Sequence, residues 1–557
     1  MPLGHALLER GALTADALAS AVAKAAGGTA SLGEVLVDGG LVDEATVLAC
    51  LAEITRLPVV DLKRERVDPA VLAIVPPRLV AGRSLLPLRR DHATGALVVA
   101  TADPLNLSVL DELRLVTGCE IQAVIASAAQ IAEAARDQLG LGAESIDQMI
   151  AERAASLELA DVADADLAED RGLIRFVNQL LVQAVRERTS DIHIEPFEKR
   201  LRVRYRVDGV LEEKKIPAGT ERFAPAIASR LKIMADLDIA EKRVPQDGRI
   251  KLKVDGREYD VRVSIIPTMT GEDAVLRILD SGGGGFSLES LGMPADTLEV
   301  WERLIRQPNG IILVTGPTGS GKSTSLHAAL SKINEVGIKI ITIEDPVEYH
   351  LDGVNQIQVN EKAGMTFSRG LRSILRHDPD IVMVGEIRDL ETAEIAIRAA
   401  LTGHLVFSTL HTNDAPSAVT RLLDMGLEPF LVASSVEGIM AQRLVRLVCK
   451  RCMTWEPRAR ALRVPQDLPA DLERLPTAHG CEACRGTGYT GRNGLFELMP
   501  VGEPVRDLVI ARASAGKIRE HAMSDGMRTL RDDGWRSVRA GLTTLEEVLR
   551  VTKAEIA

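Results

Sequence analysis

Nine consecutive residues carry the sharpest chemical signal in this chain: Gly316, Pro317, Thr318, Gly319, Ser320, Gly321, Lys322, Ser323 and Thr324. They follow directly on an apolar run, Ile311–Thr315, and lead into a helical pattern from Ser325 to Ile333. GxxxxGK[ST] between a strand and a helix is a phosphate-binding arrangement. The glycines let the backbone curl until its N–H groups face phosphate oxygens, and the helix N-terminus adds its positive dipole end. Lys322 can reach the β- and γ-phosphates and Ser323 can ligate Mg²⁺, so the loop is expected to hold ATP with Mg²⁺.

Hydrolysis also needs acids. The run Ile381–Val384 delivers Glu386, with Gly385 where many such enzymes keep an aspartate. Glu386 can orient or deprotonate the attacking water. Glu344 and Asp345 close another apolar run, at the strand end where ligands sit in open α/β sheets. One of these carboxylates can hold Mg²⁺ through water, and a solvated loop acid is the alternative for each. His404 and His411 bracket the run Leu405–Leu410. Both a γ-phosphate sensor and an ordinary core or surface histidine fit them. His327 reads as a helix residue.

Two further pairs suit a metal. Cys449 and Cys452, then Cys481 and Cys484, form two CxxC motifs enclosing 28 residues. Four thiolates make a closed tetrahedral site for structural Zn²⁺, although the enclosed span exceeds the commonest ~15–20 residues. A redox pair is the other reading. Cys50 and Cys119 are expected to be plain core cysteines.

The elements that must position these residues come from a chain of 557 residues. At ~100–200 residues per domain that means about three to five domains. Apolar residues make up 46% and charged residues 26%, which excludes disorder as the dominant state. Aromatics are 3%, so the cores must be aliphatic. The net charge of −12 argues against a dedicated nucleic-acid binder. No run of ~18 apolar residues suggests a transmembrane helix, and the start lacks the layout of a secretory signal, so a cytosolic location is expected.

Leu3-Gly4, Leu7-Leu8 and Gly11 recur 29 residues later as Leu32-Gly33, Leu36-Val37 and Gly40, a two-unit helical module over 1–57 with caps at Thr14 and Asp43. An α/β part follows over 58–140, with strands expected at VVDL, LLPLRR and ALVVATADP. The stretch 141–172 is acidic, Ala-rich and expected to be a flexible linker, with an exposed helix as the alternative given its Ala and Glu content. Residues 173–281 open on an amphipathic helix and continue as strands with VDG turns. A glycine-rich hinge, 282–287, separates them from 288–445, where short β-branched runs alternate with helices as in a parallel sheet buried on both faces. The cysteine region occupies 446–500 and a helical region 501–557.

GPTGSGKST, TIEDPVEY, LRSILRHDPDIVMVGEIRD and TGHLVFSTLHTND together resemble the Walker A, Asp box, Walker B and His box of the type II and type IV secretion ATPase superfamily. The segments Ser190–Pro196 and Ala240–Arg249, and the tail Arg539–Val548, fit the same family, so the resemblance covers essentially the whole chain. It is nearer to the type II secretion assembly branch, with the type IV pilus extension branch second. It implies an α/β multidomain fold: a C-terminal RecA-like P-loop ATPase core with a parallel sheet, preceded by an α+β N2 domain and a small α/β N-terminal domain carrying the helical repeats. It implies a homo-hexameric ring with ATP between the N2 and ATPase domains. Arg262 and Arg277 match arginines that reach phosphates from N2, and Arg372 and Arg376 match ATPase-domain arginines linked to hydrolysis. An ordinary surface or strand-paired arginine is the simpler reading of each. The tetracysteine zinc insert is also a family feature.

The family further implies docking of the N-terminal domain on the cytoplasmic domain of an inner-membrane platform protein, which would make this a peripheral protein of the inner membrane of a Gram-negative bacterium. Through that platform it would act indirectly on pilin-like subunits. In some relatives the N-terminal repeats bind cyclic di-GMP, each beginning Arg-Leu-Gly and ending in Gln. Here Pro2 and Ser31 stand at the leading positions, and Ala25 and Ile54 at the closing ones, so that binding is not expected. Two alternatives of another class remain: a DNA-translocating ring, disfavoured by the acidic charge and the absence of a DNA-binding motif, and a scaffold that binds nucleotide without hydrolysing it, disfavoured by intact Lys322, Ser323 and Glu386.

Overall fold

The computed structural model describes residues 2–26, 32–62, 65, 67–72, 74–75, 77–80, 85–91, 93–139, 170–280, 287–460 and 464–552. The chain divides into two compact units, Met1–Leu279 and Asp280–Ala557.

In the first unit the sequence repeat becomes two helix pairs, Pro2–Glu9 with Ala15–Ala26 and Leu32–Asp38 with Glu44–Thr55. Leu3, Leu7, Leu36, Val47 and Cys50 share one core. Thr14 accepts from Ala17 N–H at 3.4 Å and Asp43 from Thr46 N–H at 2.8 Å. A good cap of this kind contributes ~0.5–2 kcal/mol. A three-stranded sheet follows, Leu85–Arg90, Leu97–Thr101 and Ile121–Ile125, antiparallel then parallel. The expected strand VVDL forms only an isolated bridge, Val59 to Ile125. Val59 is exposed while Val60 and Leu62 pack into the core of this part, so the run is held by those side chains and the one bridge and not by a ladder.

Most of the expected linker, residues 141–169, lies outside the described residues, as does the hinge stretch 281–286. Asp170 caps the helix Arg171–Arg186 through Gly172 and Leu173 N–H, so that helix starts ahead of the boundary expected at 173. Its Phe176, Leu180 and Ala184 pack with Ile227 and Leu231 on one face of a six-stranded sheet. The sheet order is Val210–Lys214, Arg200–Val207, Thr189–Phe197, Gly271–Asp280, Arg257–Thr268, Gln246–Val254. Both VDG segments turn as expected: Asp208 and Gly209, and Asp255 and Gly256, all have positive φ. Strand alternation sends Ile192, Val203, Tyr205 and Leu276 to the helices. Their neighbours Asp191, Arg204, Arg206 and Arg277 therefore share the opposite face.

The second unit is built on a seven-stranded sheet ordered Asn355–Gln358, Ile340–Glu344, Ile381–Val384, Leu405–Leu410, Gly310–Thr315, Val436–Val448, Tyr489–Pro500. The strands are parallel except the last, which runs antiparallel to Val436–Val448. Each central strand feeds two cores. Ile311, Leu313, Ile343, Val384 and Val406 pack on one side, and Ile312, Val314, Met383 and Phe407 on the other. This double burial explains why these runs are apolar throughout and do not alternate. The sheet crosses the boundary expected at 445 and 446, because the long ladder from Gly438 to Val448 pairs with Tyr489–Pro500 and the cysteine segment is inserted between those two strands. Four helices, from Glu503–Ile510 to Leu545–Val551, complete the described part of the unit.

Candidate active site

The parallel ladder Gly310–Thr315 against Leu405–Leu410 brings the glycine loop to the carboxyl end of the sheet. Gly316, Gly319 and Gly321 have φ of 149°, 78° and 89°. A Cβ on Gly316 would lie 2.6 Å from the Gln442 carbonyl, so both conformation and space require glycine there. Pro317, Thr318 and Gly319 are exposed, and Ser323 and Thr324 sit half-exposed in the first turn of the helix Lys322–Ile333. Lys322 folds back over the loop, its Nζ donating to Gly316 O at 2.8 Å and Pro317 O at 3.1 Å. Burial is the main influence on it and brings its pKa down to about 8, with Glu386 and Glu348 opposing and Arg443 reinforcing the shift.

Glu386 follows the strand Ile381–Val384 at the same sheet end. It pairs with Arg388 and receives His411 Nε2 at 3.2 Å. Burial pushes the Glu386 carboxyl up, but Arg388 and His411 together outweigh it and hold the group below its usual range. It is thus an ionised carboxylate, as a water-orienting base must be. Gly385 is packed against the neighbouring strand: a Cβ there would meet Glu344 Cα and Ile343 O, both at 3.3 Å. The loop after Leu410 is tied to the phosphate-loop strand by Thr315 Oγ1, which lies 2.7 Å from Thr412 Oγ1 and accepts from Thr412 N–H at 2.8 Å.

Other expected residues are placed differently. Glu344 is 4% exposed, with Oε1 accepting from Thr342 and Gln356 and Oε2 facing His327 Nε2 at 3.0 Å. Burial disfavours its charge, and His327, Thr342 and Gln356 more than compensate, so its pKa is lowered. Both oxygens are engaged inside the protein, while Asp345 next to it is exposed. His404 precedes Leu405 at the amino end of its strand and bonds to Ala399 O through Nδ1 at 2.9 Å. Six residues at ~3.3 Å each put it ~20 Å from the loop, so it is no γ-phosphate sensor for this chain's own loop. Arg372 is paired with Glu391 at 2.6 Å. Arg376 bonds to Arg372 O and Ser373 Oγ. None of these partners belongs to the loop.

In the first unit, Arg277 is half-exposed and donates through Nε to Asp191 at 2.9 Å. Arg262 lies opposite Arg249 in the strand pair at the sheet's end.

His327 lies in the expected helix but also pairs with an acid, and Arg388 and Arg443 near the loop are not among the expected site residues. His327 is 2% exposed and anchors Glu344. Arg388 grips Glu386 from two positions on, a spacing that was legible in GEIRD. Arg443 stands with Gln442 as a polar pair that breaks the apolar stretch 439–445 of its strand, which was the available signal.

The four cysteine sulfurs lie within 4.8 Å of one another. Cys449 to Cys481 and Cys452 to Cys484 are both 3.8 Å. A tetrahedron of Zn–S bonds ~2.3 Å long has edges of ~3.8 Å, so the donor set fits Zn²⁺ without rearrangement. Cys484 Sγ also accepts from Cys481 and Gly488 N–H, both at 3.1 Å, as metal-bound thiolates do. Cys50 is buried in the core as expected, and Cys119 is half-buried.

The family described as Type II/IV secretion system protein matches residues 166–550, and the MshEN domain matches 55–143, the three-stranded part and not the repeats before it. The type IV pilus assembly ATPase PilB of Myxococcus xanthus is 41% identical over 570 aligned positions, covering 98% of this chain and 98% of the relative. The type II secretion system protein E of Pseudomonas aeruginosa is 51% identical over 420 positions, 73% of this chain and 82% of the relative. Its counterpart in Xanthomonas campestris is 44% identical over 536 positions, 92% of each. Among solved structures, the Legionella pneumophila ATPase DotB aligns with a TM-score of 0.50 at 22% identity, over 68% of this chain and 95% of that one, a likeness of fold alone.

Proposed function

The chain belongs to the type II/IV secretion system protein family, and from that premise we propose that it is the ATP-hydrolysing motor that powers assembly of the pilin-like fibre of a type II secretion system. The observation that carries this reading is the meeting of Lys322, Glu386 and His411 at one end of the parallel sheet, in a chain whose family match spans 166–550.

In this reading the curled backbone of Gly316–Thr324 binds the triphosphate, with Lys322 on its β- and γ-oxygens. Mg²⁺ held through Ser323 would neutralise charge on those oxygens when bound. Glu386, kept ionised by Arg388 and His411, orients and deprotonates water. Glu344 acts through position: it pins the end of its strand to the phosphate-loop helix through His327. Phosphoryl transfer depends mainly on positioning and charge neutralisation, so arginines brought to the phosphates contribute strongly, ~10³–10⁵ in rate for the best placed. Arg262, Arg277, Arg372 and Arg376 are the candidates from the family. Arg277 offers its terminal nitrogens to solvent-side ligands while Asp191 holds its Nε.

The family also supports a homo-hexamer and docking of the N-terminal domain on the cytoplasmic part of an inner-membrane platform protein. No helix among the described residues is long and apolar enough to cross a membrane, so a membrane location would come from that partner. The sequence departures in the repeats argue against cyclic di-GMP as the N-terminal ligand. Pilus extension is the second reading, favoured by the full-length match to PilB. A deletion strain complemented with wild type or Glu386→Gln decides between them. Loss of secreted proteins with pili intact, restored only by wild type, is expected. Loss of pili with secretion intact would move the protein to the pilus branch.

A further inference from the structure

Arg443 lies two residues beyond Ala441, which is in register with Thr315, the residue before the phosphate loop. Its guanidinium therefore sits at the carboxyl end of the sheet. Its Nη1 is 3.1 Å from where a Cβ on Gly316 would be. Every hydrogen bond it makes goes to an uncharged acceptor. Nη1 donates to Gln442 O at 3.0 Å, and Nη2 to Asn413 O at 3.0 Å and Asn413 Oδ1 at 3.2 Å. No carboxylate among the described residues pairs with it directly, and Glu497 and Asp414 act on it only through space. Burial dominates and pulls its pKa down.

A half-buried cation satisfied by neutral carbonyls alone is under-compensated. Lys322 is in the same position: its bonds go to Gly316 O and Pro317 O, and Arg443 makes its charge harder to hold. Two cations thus converge on the Gly316 end of the loop. A polyanion presenting several oxygens there relieves both, and a guanidinium suits phosphate because its fork can donate two bonds at once.

We propose that Arg443 contacts the nucleotide phosphates from within the same chain, as a second cation beside Lys322. This rests on the reading of Gly316–Thr324 as the ATP site. Binding exchanges the bonds to Asn413 for phosphate oxygens. Asn413 belongs to the loop that carries His411, the partner of Glu386, and Thr412, the partner of Thr315. Arrival of the triphosphate is thereby reported to the residues that position water.

The contrasting role is a clamp that merely holds the Asn413 loop against the phosphate loop. Arg443→Gln and Arg443→Lys in the full-length protein separate the two, with Mg²⁺-ATP, ADP and AMP as probes in calorimetric titrations and phosphate release as the rate. Arg443→Gln is expected to weaken ATP binding ~10–100-fold, the worth of a charge-assisted hydrogen bond, with AMP affected least. Turnover should fall ~10²-fold or more. Arg443→Lys keeps the charge but not the fork, so it should recover part of the affinity and remain several-fold below wild type. It also serves if the glutamine variant fails to fold. Wild-type ATP affinity in Arg443→Gln, even with slowed hydrolysis, would overturn the proposal in favour of the clamp, as would an Arg443→Lys loss as large for AMP as for ATP. Lys322→Ala is the parallel control. ATP binding by Lys322→Ala as tight as wild type would sink the phosphate-loop reading itself, whereas its loss beside normal binding by Arg443→Gln would sink this inference alone.

Discussion

At the scale of single residues, the protonation of Lys322 sets a pH limit on nucleotide binding. Burial brings its pKa down to about 8, and phosphate oxygens beside it would raise that value. The free protein therefore loses the ammonium as pH rises through about 8, while the complex keeps it. ATP affinity should decline above that pH, with proton uptake on binding. Calorimetry in buffers of different ionisation enthalpy checks both. A flat affinity from pH 7 to 9 would contradict the lowered pKa of Lys322 in the free protein. His327 supplies a second prediction. Replacing it by Leu removes a partner from the buried Glu344 carboxylate, which should cost ~1–3 kcal/mol in urea unfolding. The phosphate loop and Glu386 were legible in the sequence because their chemistry lies in contiguous residues. The pairing of His327 with Glu344 and the seat of Arg443 were not, because each joins residues distant in sequence across neighbouring elements. His404 precedes its strand and so stands at the amino end, whereas the loop and Glu386 lie at the carboxyl end, a distinction that chain order already carries.

At the scale of elements, close packing of strands explains both the glycines and the metal site. Gly316 has no room for a Cβ beside the Gln442 carbonyl. Gly316→Ala should destabilise the fold by ~1–3 kcal/mol and impair ATP binding, seen as a lower unfolding midpoint. The strand Val436–Val448 runs from beneath that loop to Cys449, so the cysteine cluster is built on the same sheet as the site. Cys452→Ser, or strong chelation, should release one Zn²⁺ per chain and lower thermal stability, as metal analysis and melting curves would show. Retained zinc in Cys452→Ser would reject the four-thiolate site. The buried parallel strands were readable as apolar β-branched runs. The strand Ile121–Ile125 was missed because it is only partly buried and carries a polar glutamine at its second position. VVDL has Val60 and Leu62 in the core, and its apolar pattern does not distinguish an extended segment that makes one bridge from a strand in a ladder.

At the scale of the whole molecule, the chain divides into a first unit that carries Arg262 and Arg277 and a second that carries the phosphate loop. Family membership links them into a motor, and the most direct test of that account is turnover. Purified full-length protein should release phosphate from Mg²⁺-ATP. Glu386→Gln should bind ATP about as tightly as wild type and release phosphate at least ~10²-fold more slowly. Turnover by Glu386→Gln at the wild-type rate would contradict the account, since the only acid held ionised at the open end of the sheet by both Arg388 and His411 among the described residues would then have no part in hydrolysis.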